Sequence, residues 1–317
     1  MKLPDKRNKN ILININGELL PRNEAKVSVF DSSVQGGDAV WEGLRVYKGR
    51  IAALNDHLIR LQNSAKALAF DSVPSSDDIR KAIFSTLEAN GMWDETHIRL
   101  TLTRGEKVTS GMNPKLNQKG CTLIVLAEWK PPVYSNSGIT VITSSIRRNS
   151  PQHLDSKIHH NNLLNNILAV IEANTANVDS AVMLDVNGFI SETNDTNIFL
   201  VRDNVIHTPT TDSCLPGLTR QMILEIAAEE GILTQEKNLS LTDLYSADEV
   251  FTSGTMGEIT PILKADGREI GKGEAGAMTK RIQKLHSSFA YKTGAVSYTH
   301  LRAHETDSYL VCRLLLE

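Results

Sequence analysis

The chain has 317 residues, 34 basic and 37 acidic, for a formal net charge of −3. That length exceeds one typical core, and the balanced charge, with no basic block, excludes a nucleic-acid or anionic-membrane footprint. No apolar run approaches the ~20 residues a bilayer requires, the polar Met1–Arg7 is no signal peptide, and three cysteines without CxxC spacing fit a reducing cytoplasm better than a disulfide or zinc framework.

Ile11–Ile15, Asn16-Gly17 and Glu18–Leu20 predict a β-hairpin with a tight Asn-Gly turn. Asp56 opens a helix with apolar positions Leu58, Leu61, Ala65 and Leu68. A second helix starts at Ser76-Asp77-Asp78, whose side-chain oxygens can cap free amides, and ends near Gly91. His97, Arg99, Thr101 and Thr103 alternate with Ile98, Leu100 and Leu102, the pattern of a strand with one polar face. Cys121–Ala127 is nearly all apolar and predicts a buried strand. Pro131-Pro132 and Ser135–Gly138 break the pattern as a linker.

Beyond it, Ile139–Thr143 predicts a strand, and a helix follows Lys157 with Leu163, Leu164, Ile167, Leu168, Val170 and Ile171. Ala181–Asp185, Asn187-Gly188 and Phe189-Ile190 form a second hairpin, and Asn197–Val201 another strand. Pro216–Thr219 opens a helix that ends at Glu229–Gly231, and Val250-Phe251 runs into the small-residue turn Ser253–Thr255. Strands in runs, with helices set apart, predict an α+β or mixed α/β protein without internal repeats. The expected domains are 1–130, a small N-terminal α/β domain, and 139–295, a larger C-terminal one, joined by 131–138. Val296–Thr306 resembles a frame of a transposase sequencing adapter, and Leu310–Glu317 a frame of the flow-cell adapter that follows it. Residues 296–317 are therefore expected to be a non-native, disordered tail.

Chemistry centres on Lys157, an isolated lysine upstream of a helical pattern, and on Glu192, 35 residues later. A lysine that can form an imine, with a carboxylate that keeps a pyridine nitrogen protonated, is the minimum equipment for pyridoxal-phosphate chemistry. By residue type alone, both also read as solvated side chains. His159-His160 is the only histidine pair, and adjacent residues point different ways, which argues against joint metal ligation.

Six blocks resemble the class IV (fold type IV) pyridoxal-phosphate aminotransferases, most closely the branched-chain amino acid transaminases. They are Trp41–Arg45, His57–Leu61, Lys157, Leu184–Glu192, Leu215–Arg220, and Ala247–Thr255 with Glu258–Pro261, and the resemblance covers about residues 11–290. It implies a two-domain fold and a C-terminal domain that anchors pyridoxal 5′-phosphate. Lys157 would be the imine lysine and proton carrier, and Glu192 the pyridinium partner. Gly217, Leu218 and Thr219, with Ser253, Gly254 and Thr255, would supply amides and hydroxyls to the phosphate, which also suits a helix N-terminus. Arg60 would be the phosphate's cation. Trp41, Gly43, Arg45, His97, Arg99, Thr255 and Met256 would form the substrate pocket, with Arg99 taking glutamate's side-chain carboxylate.

Read without the family, Thr219 and Thr255 are structural caps and Arg99 is a solvent-facing arginine on an edge strand. The sequence departs from the branched-chain pattern at Gly36, Trp41, His97 and Asn162, and in the polar turn after Glu192. The leading expectation is transfer of the amino group of a branched-chain L-amino acid to 2-oxoglutarate, in a homodimer or larger assembly. A D-amino acid transaminase, an (R)-amine transaminase, an aminodeoxychorismate lyase and a catalytically silent relative stand as alternatives.

Overall fold

The computed structural model describes residue 3, residues 5–293 and residues 295–296. They form two compact units that part between Pro131 and Pro132. Residues 132–138, read from sequence as a linker, belong to the second unit. Val133 N–H donates to the Met256 carbonyl at 2.9 Å, and the Tyr134 hydroxyl donates to Asp195 at 2.8 Å.

The first unit runs through β1 (Leu12–Ile15), β2 (Glu18–Pro21), α1 (Ser32–Gly36), β3 (Ala39–Tyr47), β4 (Arg50–Ile51), α2 (Leu54–Ala67), α3 (Ser76–Asn90), β5 (Thr96–Thr103) and β6 (Thr122–Trp129). Asn16 and Gly17 both have positive φ, 53° and 91°, which explains the Asn-Gly pair in the β1–β2 turn. The strands form an antiparallel sheet in the order β4-β3-β5-β6-β1-β2. Ala295 and Val296 pair with Ile51 and Arg50 at its β4 edge, so the first residue of the expected tail is in the sheet. Residues 297–317 lie outside the described residues.

Strand pleating divides β3 and β5 between two faces. Val40, Leu44 and Val46, with Ile98, Leu100 and Leu102, are fully buried, as are Leu61, Ile79 and Ile83 of α2 and α3. The helices differ from expectation at their starts. α2 begins at Leu54 after Ala53 in the left-handed region, and the cap of α3 is Ser75, whose hydroxyl accepts from Asp78 N–H. β6 alternates: Leu123, Val125 and Ala127 are buried, whereas Ile124 and Leu126 are half-buried, because only one face meets the core.

The second unit contains β7 (Ile139–Thr143), α4 (Leu164–Thr175), β8 (Ser180–Leu184), β9 (Ile190–Thr193), β10 (Asn197–Arg202), β11 (Val205–Thr208), α5 (Leu218–Glu229), β12 (Thr234–Glu236), α6 (Leu241–Tyr245), β13 (Glu249–Gly254), β14 (Glu258–Ala265), β15 (Arg268–Glu269) and the start of α7 (Ala277–Thr293). The sheet order is β12-β11-β10-β13-β14-β7-β8-β9, with β15 on β14; β7 runs parallel to both β14 and β8. Both faces are covered. Ile198, Leu200 and Val250 enter one core, while Phe199, Val201 and Phe251 meet Ile223 and Ala227 of α5 in another. This explains why β10 reads as an unbroken apolar run.

α4 forms where the apolar spacing predicts a helix, but most of that apolar stripe does not face the sheet. It rests on the sheet through Ala169 and Ala173, which pack on Ala181 and Met183. Leu164, Ile167, Leu168 and Ile171 stay between 48% and 65% exposed.

Candidate active site

In the first unit, Glu42 lies on the helix-facing side of β3 and is fully buried. It accepts from Arg60 Nε at 2.9 Å and Nη2 at 2.7 Å, and its Oε2 lies 2.7 Å from His57 Nδ1. Arg60, the expected phosphate cation, is thus held in a charge-assisted fork by a carboxylate that the sequence reading left without a role. Its signal was present, one residue from Trp41 within the Trp41–Arg45 block.

On the other face, Trp41, Gly43 and Arg45 stand opposite Thr101, Arg99 and His97. The Arg99 guanidinium stacks on the Trp41 ring, 3.4 Å from its centroid. β5 lies between β3 and β6, so Arg99 is not the edge-strand, solvent-facing residue of the alternative reading. Burial lowers its pKa to about 10, with Glu42 opposing the shift, and it remains a cation at neutral pH. Arg45 is buried and donates to the Lys130 carbonyl at 3.2 Å. Burial pushes His97 down to about 3, helped by Lys130, Arg99 and Arg45, so its imidazole is neutral. Its Nε2 is buried and has no hydrogen-bond partner among the described residues. At Gly36 a Cβ would meet nothing within 4 Å, so the space there is open.

In the second unit, a loop from Pro209 to Gly217 gathers the remaining groups. Lys157 Nζ donates to the Asp212 carbonyl at 3.4 Å and lies 4.0 Å from Asp155 Oδ1, with its side chain 41% exposed. Ser191 Oγ donates to the Ser213 carbonyl at 2.9 Å, and Asn197 Nδ2 to the Leu215 carbonyl at 2.9 Å. Glu192, expected to be a solvated carboxylate without the family, is buried and ion-paired. Its Oε1 accepts from Arg148 Nε at 2.5 Å and its Oε2 from Asn197 Nδ2 at 3.3 Å. Burial raises its pKa, against the Arg148 guanidinium. A cavity of about 60 Å³ beside it is lined by Arg148, Ser156, His160, Asn166 and Leu215, among others.

Sequence reasoning missed Arg148 and Asn197. Arg148 lies in a polar stretch 44 residues before its partner, and no local periodicity marks such a pairing. Asn197 read only as the first residue of a strand.

The expected phosphate groups are suited to an anion. α5 begins at Leu218 after Gly217, and among the described residues no side chain caps it, which leaves its first amides suited to an anion; Thr219 is not the cap of the alternative reading. Ser253 Oγ is buried without a hydrogen-bond partner among the described residues. Ser253 lies opposite Asn197 in the β10–β13 pair, which brings the two turns together. At Gly254 a Cβ would meet Thr196 Cγ2 at 2.9 Å, so backbone approach there requires glycine. Thr255 and Met256 occupy the turn between β13 and β14.

The sequence model for class IV amino-transferases matches residues 39–265. The chain belongs to that family. Among relatives of class IV, the branched-chain-amino-acid aminotransferase-like protein 2 of Arabidopsis thaliana is 58% identical over 293 residues, covering 92% of this chain and 52% of the relative. The branched-chain-amino-acid aminotransferase of Escherichia coli K12 is 36% identical over 278 residues, 85% of this chain and 89% of that protein. The chain spans about half the length of the two Arabidopsis relatives it matches. Among solved structures, the E. coli branched-chain amino acid aminotransferase superposes with a TM-score of 0.84 at 33% identity, covering 89% of this chain and 95% of that one. The T.th. branched-chain amino acid aminotransferase, complexed with N-(5′-phosphopyridoxyl)-L-glutamate, gives 0.82 at 35%, covering 88% and 94%. The two-unit fold is therefore that of the fold type IV aminotransferases.

Proposed function

We propose that the chain is a pyridoxal 5′-phosphate-dependent transaminase that moves the amino group of a branched-chain L-amino acid to 2-oxoglutarate. One observation carries the reading: the Pro209–Gly217 loop bonds to Lys157, to Ser191 beside Glu192, and to Asn197, and it ends at the uncapped start of α5. An amine, an ionisable carboxylate and an anion cradle are thus tied to one segment.

When bound, the coenzyme supplies an electron sink for charge developing at the substrate α-carbon. Lys157 would hold it through the ε-amine and move a proton at that carbon. Glu192, fixed by Arg148, would keep the pyridine nitrogen protonated. Amides at Gly217, Leu218 and Thr219, with Ser253, Gly254 and Thr255, would hold the phosphate, and Arg60 is its proposed cation on the family resemblance. The proposed substrate residues are Trp41, Gly43, Arg45, His97, Arg99, Thr255 and Met256. Within the β3–β5 face, the Trp41 ring supplies apolar surface and Arg99 a cation. That pairing suits a pocket taking an apolar side chain in one half-reaction and a carboxylate in the other.

The exposed apolar stripe of α4 supports a homodimer, since contiguous apolar surface marks protein contacts. No helix among the described residues is long and apolar enough to cross a membrane, and the cysteine pattern supports a cytoplasmic location. A second reading, a D-amino acid or (R)-amine transaminase or an aminodeoxychorismate lyase, is left open by the polar turn after Glu192. There Thr193 Oγ1 bonds Thr196 and Asp195 accepts from Tyr134. A donor panel of L-leucine, D-alanine, (R)-1-phenylethylamine and L-glutamate, with 2-oxoglutarate and pyruvate as acceptors, separates the transaminases, while a lyase would transfer an amino group in none of the pairs. Leucine with 2-oxoglutarate is expected to be fastest; preferred turnover of a D-amino acid or an (R)-amine would replace the first reading with the second.

A further inference from the structure

Asn197 occupies a position that neither its strand nor the sheet core requires. It is the first residue of β10, it is buried, and its amide points away from the ladder to three separate places. One Nδ2 hydrogen can go to the Leu215 carbonyl at 2.9 Å and the other to Glu192 Oε2 at 3.3 Å. Both donors are then used. Its Oδ1 packs against Gly217, where an added Cβ would overlap it. Gly217 has φ −66° and ψ 135°, a conformation open to any residue. Glycine is therefore needed at 217 for the approach of Asn197, not for a turn.

We infer that Asn197 is a positioning residue that fixes the start of α5 relative to the Glu192 carboxylate, so that the phosphate end and the ring-nitrogen end of the coenzyme site are set as one unit. This rests on the proposed coenzyme reading. The physical argument is that a side chain with both donors committed cannot move toward one acceptor without leaving the other. A displacement of the α5 start pushes on Oδ1 and shifts the amide that bonds Glu192. Loss of the amide leaves the buried Glu192 carboxylate and the half-buried Leu215 carbonyl without that donor. The opposite placement of Ser253 in the ladder extends the same coupling to the second phosphate turn.

The test uses apo protein titrated with pyridoxal 5′-phosphate and with pyridoxal, which has no phosphate. Gly217→Ala drives a methyl group into Asn197 Oδ1. It is expected to raise Kd at least tenfold for the phosphate ester and at least threefold for pyridoxal, although pyridoxal never reaches the α5 start. In the Asn197→Ala background the overlap is gone, so adding Gly217→Ala should leave pyridoxal affinity within twofold of Asn197→Ala alone. That non-additivity is the signature of coupling through the shared contact. If Asn197→Ala fails to fold by circular dichroism, the pyridoxal titration of Gly217→Ala still decides. Unchanged pyridoxal affinity in Gly217→Ala, with the phosphate ester weakened, would show the two ends to be independent and overturn the coupling alone. Wild-type protein that bound neither compound would overturn the coenzyme reading and the coupling with it.

Discussion

Replacing Arg148 by methionine keeps most of the packing of its stem and removes the guanidinium 2.5 Å from Glu192. Glu192 is buried and burial already raises its pKa, so the variant retains a carboxylate with no cation to oppose that rise. It escapes the cost of a buried, unpaired charge by binding a proton. At pH 7 that escape costs roughly 3.7 kcal/mol, from about 2.7 pH units above an ordinary glutamate pKa of about 4.3 at about 1.36 kcal/mol per unit. At pH 5 the same arithmetic leaves about 1 kcal/mol. For a cooperative unit of this size, each kcal/mol moves Tm by about 2–4 °C. Because burial raises the Glu192 pKa in the wild type as well, these figures bound the difference: the variant should melt below wild type by up to about 7–15 °C at pH 7 and by no more than about 2–4 °C at pH 5. The sign follows from a folded-state pKa raised above the unfolded value: stability is present at low pH and is lost as pH rises through the folded pKa. Calorimetry at the two pH values reads this directly, and Arg148→Met/Glu192→Gln should recover most of the loss. A deficit equal at both pH values would mean that Arg148 contributes packing only, and the charge argument would fail.

Arg60→Ala should weaken pyridoxal 5′-phosphate binding, measured by titration, more than it lowers kcat of the saturated enzyme; unaltered affinity would limit Arg60 to its contact with Glu42. Arg99→Ala should raise KM for glutamate or 2-oxoglutarate by tenfold or more while changing that for leucine little, and equal effects would remove the side-chain carboxylate role. His97, held near pKa 3, resists protonation in the folded state, so the fold loses stability as pH falls below about 6.5. His97→Gln should lessen the fall in Tm between pH 6.5 and 4, which melting curves would show. Ile167→Glu on α4 should shift the protein toward monomer in sedimentation if that stripe is the dimer contact.

Much of the fold was legible because local signals agreed with the tertiary outcome. Asn16-Gly17 fixed one hairpin, Asn187-Gly188 marked another, and alternation along His97–Thr103 gave both faces of β5. The apolar repeat of α4 marked the helix and not what covers it, since periodicity reports an apolar face without naming its partner. At the site, Lys157 and Glu192 could be named from their blocks. The partners that set their electrostatics could not, because Arg148 reaches Glu192 across 44 residues that follow no period, and Asn197, although only five residues away, reads from sequence as a strand residue whose side-chain direction is set by the fold. Gly217 shows the same limit: it reads as a helix-start glycine, and only the Asn197 side chain pressed against it explains the residue.

β3 carries Glu42 toward α2 and Trp41, Gly43 and Arg45 toward the opposite side. Inserting or deleting a single residue there would exchange the two sets, sending the acid that clamps Arg60 outward and an aromatic ring into the core. Lineages with altered substrate preference should thus differ at odd-numbered positions of this strand by replacement, while its length stays constant. The alternation turns one nine-residue segment into two independently editable registers, one open to drift and the other closed.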